Sequence, residues 1–192
     1  MKPIVLASRS PRRKQLLEQA GIAFEVISAD TDESYPSDLA VEEIPIYIAR
    51  HKGHFVQQTP LFARYAAGST ILAADTIVEI DGNIIGKPDN RQHAIELLSL
   101  LSGRMHRVIT GVVILQGEKE ITLSETTEVF FYPLTTEQVV FYVDHFHPFD
   151  KAGAYAIQEW IGLIGVEKIC GDYYNVMGLP VSRVIKALEE CL

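Results

Sequence analysis

The feature that most constrains this chain is a pair of long strand-like runs in its second half, Val108 to Leu115 and Glu120 to Phe131, joined by a turn near Gln116-Gly117. Strands joined so tightly lie side by side and antiparallel, whereas parallel neighbours need a crossover of a dozen residues or more. The first half reads differently. Ile4 to Ala7 is a short buried strand, followed by a helix that Ser10 caps, with Pro11 in its first turn and Gly21 just past its end. Phe24 to Ile27 is a second strand, Asp30 to Asp38 a polar loop, and a helix from Val41 or Pro45 runs to Gln57. Thr70 to Ala74 is an apolar strand arriving at Asp75 and continuing through Thr76 to Ile80. The hairpin signal Asp81-Gly82 then precedes Asn83 to Ile85.

Further on, Asp89 or Asn90 caps a helix with Ala94, Leu97, Leu98 and Leu101 on one face, and Gly103 ends it. Thr135 with Gln138 forms a capping box for a helix through Asp144, Ile161 to Ile169 reads as strand, and Pro180 opens a closing helix that reaches almost to Leu192. Helices alternating with strands around one long hairpin predict an α/β protein: a mixed β-sheet with flanking helices, a single domain over residues 1–192, with two lobes around a cleft.

Composition excludes several functions. A chain of 192 residues with 47% hydrophobic and 22% charged residues has the balance of a folded globular protein. Its net charge of -8 argues against a nucleic-acid partner, though a local basic patch can still receive a small anion. Cys170 and Cys191 form no CxxC or zinc pattern, which favours a reduced chain. The apolar run after Met1-Lys2-Pro3 is too short for a signal peptide or a membrane span, so no membrane association and a cytoplasmic location are expected.

Three segments carry chemistry. Ser8-Arg9-Ser10-Pro11-Arg12-Arg13 lies between a strand and a helix, where orphan amides and the helix dipole attract anions and the arginine forks suit phosphate oxygens. A capped helix with solvated arginines is the plainer reading. Asp75 ends an apolar run and is costly to desolvate unless it meets a metal, a cation or hydrogen-bond donors. It is either a metal ligand or proton acceptor, or a turn aspartate satisfied by amides. Gly86-Lys87-Pro88 follows, with Lys87 either neutralising phosphate or merely exposed. The glycine spacing before Lys87 and the proline after it rule out a P-loop. Third, Asp150 through Gln158 places small residues around Gly153 and ends on Gln158, whose amide can read a base edge or simply pack in a tight corner. His51 with His54 and His145 with His147 lack a third zinc ligand at suitable spacing.

Taken together, Ser8 through Arg13, Glu33, Lys52, Ala74-Asp75-Thr76, Gly86-Lys87-Pro88, Leu101-Ser102-Gly103, His106, Thr110-Gly111, Asp150 through Gln158, Tyr174 and Met177-Gly178-Leu179-Pro180 resemble the Maf family of nucleotide pyrophosphatases, in the family's order and over nearly the whole chain. The resemblance implies an elongated α/β fold similar to inosine triphosphate pyrophosphatases, and a homodimer. It implies that Asp75 is the catalytic acidic residue, and that Ser8, Arg12, Arg13, Glu33, Lys52 and Lys87 complete the polar site. Arg12, Thr76 and Gln158 match the specificity positions of the subgroup acting on dTTP and UTP. After Gln158 the chain reads Glu159-Trp160-Ile161, where the resemblance expects glycine-rich sequence.

The expected reaction is hydrolysis of a nucleoside triphosphate to monophosphate and pyrophosphate, with Mg²⁺ or Mn²⁺ as cofactor, Glu33 and Asp75 as metal ligands, and Asp75 activating or orienting water. The rival readings are a non-catalytic nucleotide-sensing regulator linked to cell division and a phosphatase that removes only the terminal phosphate.

Overall fold

The computed structural model describes residues 3–28, 31–65 and 68–191. Met1, Lys2, Asp30 and Leu192, on which the sequence reading touched, lie outside the described residues. Among those described, seven strands form one mixed sheet: β1 (Ile4–Leu6), β2 (Phe24–Val26), β3 (Thr70–Ile80), β4 (Asn83–Ile85), β5 (Met105–Gln116), β6 (Lys119–Phe131) and β7 (Val166–Cys170). The order is β2-β1-β3-β5-β6-β7, with β4 paired to β3 off that path. β1 is parallel to both β2 and β3, whereas β4 on β3 and β7 on β6 are antiparallel. The helices are α1 (Pro11–Gln19), α2 (Ile44–Gln57), α3 (Arg91–Leu101), α4 (Thr136–Phe146), α5 (Trp160–Gly165), α6 (Tyr173–Met177) and α7 (Val181–Glu189). The mixed α/β architecture expected from the tight hairpin is therefore the one adopted. No helix among the described residues is long and apolar enough to cross a membrane.

The chain divides into two compact units. The first comprises residues up to Asp75, Thr110–Glu125 and residues from Gly178 on, and the second Thr76–Ile109 and Thr126–Met177. In the first, Val5, Ala7, Ile27, Ala49, Val56, Ile71, Ala73, Val113 and Leu115 form one buried cluster. In this unit β1, β3 and β5 are buried at successive positions and so apolar on both faces, because both are covered. The buried stripe of α2 runs through Ile44, Pro45, Ile48, Ala49, Lys52, Gly53 and Val56, a helical period with one lysine in it. The start of α2 presses onto β5 at Gly111, where a Cβ would sit 2.2 Å from the Ile46 nitrogen, so only glycine fits.

In the second unit α3 and α4 pack together through Ala94, Leu98 and Leu101 on one and Val139, Tyr142 and Val143 on the other. Asn90, not Asp89, caps α3, its Oδ1 accepting the His93 N–H at 3.0 Å. Thr135 and Gln138 make the reciprocal capping box of α4. The expected strand over Ile161 to Ile169 is corrected: Trp160–Gly165 is helical and only Val166–Cys170 extends along β6. Ile161 and Gly165 are the buried positions, a helical spacing, while Leu163 is 84% exposed. The run was apolar enough for a buried strand, but burial follows the 3.6-residue period.

Candidate active site

β1 stops at Leu6, which pairs with Leu72, so β3 runs on beyond the carboxyl end of its parallel neighbour. There the first unit collects its polar residues. Ser8 leaves β1 and turns into α1, with Ser10 as N-cap accepting the Arg13 N–H. The Ser8 hydroxyl is buried and accepts from the Ser10 amide at 3.2 Å and from Arg13 Nη1 at 3.1 Å. Arg13 is buried as well. Its Nε donates to the Gly178 carbonyl and its Nη1 to the Ala74 carbonyl, each at 2.8 Å. One guanidinium thus ties the start of α1 to the residue before Asp75 and to the segment that leads into α7. Burial holds Arg13 below the ordinary guanidinium pKa, opposed by Asp75, with Arg12 pushing further down and Glu33 back up. Arg12 and Glu33 are thus close enough for their charges to be felt at Arg13.

Asp75 closes the fully buried run Ile71 to Ala74 and is itself 9% exposed. Lys52, reached from the buried stripe of α2, donates from Nζ to Asp75 Oδ1 at 2.7 Å and to Glu33 Oε1 at 2.7 Å. Two carboxylates therefore converge on one cation, with Asp75 buried and Glu33 on the exposed side. Among the described residues no group of three or more His, Cys, Asp and Glu could hold a metal by itself. A pair of hard carboxylate oxygens nonetheless fits Mg²⁺ or Mn²⁺, since Mg²⁺ usually takes one or two carboxylates together with waters and substrate phosphates.

The structure thus brings together Ser8, Arg12, Arg13, Glu33, Lys52 and Asp75 in the first unit. Thr76, Lys87 and Gln158 belong to the second. Lys87 is exposed, and the neighbouring Gly86 carbonyl accepts the Gly153 N–H at 3.1 Å, which joins two segments that the sequence left separate. Gln158 is exposed on a turn closed by the Glu159 N–H on the Ala156 carbonyl, 3.0 Å. The histidines of the two pairs have local contacts: the His51 ring lies tilted against Tyr47, His54 meets Gln57 and Glu120, and His145 bonds the Phe141 carbonyl.

Sequence reading reached Lys52 and Glu33 only through the family resemblance. The physical signal for Lys52 is a lysine inside the apolar period of α2. Reading the residues did not find the buried pair His106 Nε2 and Tyr155 hydroxyl, 2.7 Å apart. The His106 ring lies edge-on to Phe131 and Tyr155. Burial lowers the pKa of His106 from 6.5 to about 4 and raises that of Tyr155.

A strand-to-helix turn rich in serine and arginine, set beside a carboxylate pair beyond the end of a parallel strand, defines an α/β protein of the anion-handling kind. The model of the family described as Maf-like protein matches residues 3–191. The chain belongs to that family. It is 49% identical over 187 residues to a dTTP/UTP pyrophosphatase of Cytophaga hutchinsonii, covering 97% of this chain and 83% of that protein. It is 48% identical over 190 residues to a dTTP/UTP pyrophosphatase of Halalkalibacterium halodurans (98% and 96% covered), and 46% identical over 188 residues to one of Bacteroides fragilis (97% and 95%).

Proposed function

We propose that this chain hydrolyses dTTP and UTP between the α and β phosphates, releasing the monophosphate and pyrophosphate. The observation that carries the reading is the Lys52 ammonium bridging Asp75 and Glu33, at 2.7 Å from each, beside the serine–arginine turn of α1. The names of the relatives supply the nucleotide. The family match over residues 3–191 supports taking the two units as one functional domain.

A triphosphate carries about four negative charges at neutral pH, and water attacks it only once those charges are neutralised and aligned. Arg12, Arg13, Lys52 and Lys87 supply the protein's positive charge. Arg13 acts from a fixed place, because its donors hold the Ala74 and Gly178 carbonyls. Ser8 shapes the turn that receives phosphate. Asp75 orients the attacking water or takes its proton, and Glu33 with Asp75 would hold a divalent cation. Bound there, it would supply positive charge for the phosphate oxygens and Lewis acidity at the bond to be cleaved. Thr76 and Gln158, with Arg12, select the base. The same reading makes the protein cytoplasmic and homodimeric, with no membrane or nucleic-acid partner; the net charge of -8 supports the last point.

The test is a panel of dTTP, UTP, CTP, modified pyrimidine triphosphates and 7-methyl-GTP with Mg²⁺, Mn²⁺ or EDTA, the products being resolved chromatographically. Pyrophosphate with dTMP or UMP, lost in EDTA, is expected. Orthophosphate with a diphosphate would instead make it a terminal phosphatase. Nucleotide binding without turnover would leave the regulatory reading standing.

A further inference from the structure

Gln158 is exposed, but the backbone on either side of it is tied to one buried hydroxyl. Tyr142, on α4, is fully buried with its ring stacked on Phe146. Its hydroxyl oxygen accepts the Ala156 N–H at 3.1 Å, and its proton goes to the Glu159 carboxylate. These two partners bracket Ile157-Gln158 and are also the two ends of the turn on which Gln158 sits. Tyrosine suits the task because a single phenol offers both a donor and an acceptor.

The remaining contacts leave the turn little slack. A Cβ on Gly162 would fall 1.7 Å from the Ile157 carbonyl oxygen, so the start of α5 is pressed against the turn. The Glu159 carboxylate also faces the Lys151 ammonium at 3.6 Å, and Lys151 pairs with Asp150 at 2.7 Å. Glu159 therefore links the end of the segment back to its beginning. The sequence departs here from the glycine-rich pattern that the resemblance expects, and Glu159 is the residue that Tyr142 grips.

We propose that Tyr142 is a positioning residue for base selection: by fixing Ala156 and Glu159 it sets the direction in which the Gln158 amide meets the nucleobase. The inference rests on the reading of Gln158 as a base-contacting residue. The bases concerned differ in the groups such an amide meets, since thymine and uracil offer an acceptor at O4 where cytosine offers a donor at N4. A glutamine free to swing would pair with either.

The experiment compares kcat and KM for dTTP and CTP in the wild type, Tyr142→Phe, Gln158→Ala and the double variant, each checked for folding by thermal melting. Tyr142→Phe is expected to hold kcat on dTTP within about twofold while the dTTP-over-CTP ratio of kcat/KM falls about tenfold, the scale of one misplaced hydrogen bond. Gln158→Ala should lose discrimination too, and the double variant should lose no more than Gln158→Ala alone. Discrimination lost in Gln158→Ala but kept in Tyr142→Phe, or losses that multiply in the double variant, would overturn the role of Tyr142. Full discrimination in Gln158→Ala would overturn base reading by Gln158 and the inference with it, a distinct result. If Tyr142→Phe does not fold, Glu159→Ala breaks the same link and is expected to relax discrimination. Glu159→Gln, which still accepts the tyrosine's proton, is expected to restore it, and equal discrimination in both would overturn the proposal.

Discussion

Replacing Arg13 with lysine separates two uses of the same charge. If Arg13 serves mainly as a positive charge for phosphate, lysine keeps most of its effect. If it serves as the structure describes, as a fork that holds carbonyls, lysine fails. The Gly178 and Ala74 carbonyls each lie 2.8 Å from a different nitrogen of the guanidinium, and Ser8 Oγ is 3.1 Å from Nη1. A lysine ammonium is a single point on a flexible stem and can satisfy one of these sites well, leaving at least one buried carbonyl without its charged donor. A hydrogen bond to a charged group contributes about 1.5–3 kcal/mol, so Arg13→Lys is expected to cost about 2–3 kcal/mol. In a chain of this size that lowers the Tm by roughly 5–10 °C. Loosening Ala74 also loosens Asp75, so kcat should fall about tenfold or more with little change in KM. Urea unfolding and steady-state kinetics on dTTP measure both. An unchanged Tm together with a large rise in KM would refute the clamp and make Arg13 a direct phosphate ligand.

Asp75→Asn preserves the shape and can still accept from Lys52, and it should lower kcat by ~100-fold or more without unfolding the protein; near-normal turnover in metal-saturated protein would remove Asp75 from the chemistry. His106 titrates at about 4 when folded against 6.5 ordinarily. The unfolded chain therefore binds the extra proton first as pH falls. The stability tied to this group is intact above pH 6.5 and declines between there and pH 4, by about 3 kcal/mol in all. Urea midpoints from pH 7.5 to 4.5 should therefore fall more steeply for the wild type than for His106→Gln, and parallel slopes would contradict the assignment. Gly111→Ala forces a methyl to within 2.2 Å of the α2 backbone, so a loss of about 3 kcal/mol or more, or failure to accumulate folded protein, is expected; a wild-type melting temperature would mean that α2 does not sit against β5 as described.

Much of the local structure was legible because its causes are local. Ser10-Pro11 announces the start of α1, Thr135 with Gln138 that of α4, and the tight connection at Gly117-Glu118, one residue on from the expected turn, commits β5 and β6 to lie side by side. Each signal spans a few residues and acts through backbone groups of its own neighbourhood. Where the signal was only apolarity, as from Trp160 to Gly165, strand and helix could not be told apart, and packing decided. The family motifs named nearly every polar residue of the candidate site.

What the sequence by itself determined, then, is the class of fold, the starts of α1, α3, α4 and α7, and the residue types available for phosphate chemistry. Tertiary structure decided how those residues are used. Lys52 reaches Asp75 across 23 positions, and Arg13 spends its donors on carbonyls 61 and 165 positions away. Tyr142 finds both ends of the Gln158 turn from a neighbouring helix. The physical reason is that a side chain advertises its charge and hydrogen-bonding capacity locally, whereas its partner is whatever the folded core delivers within about 3 Å.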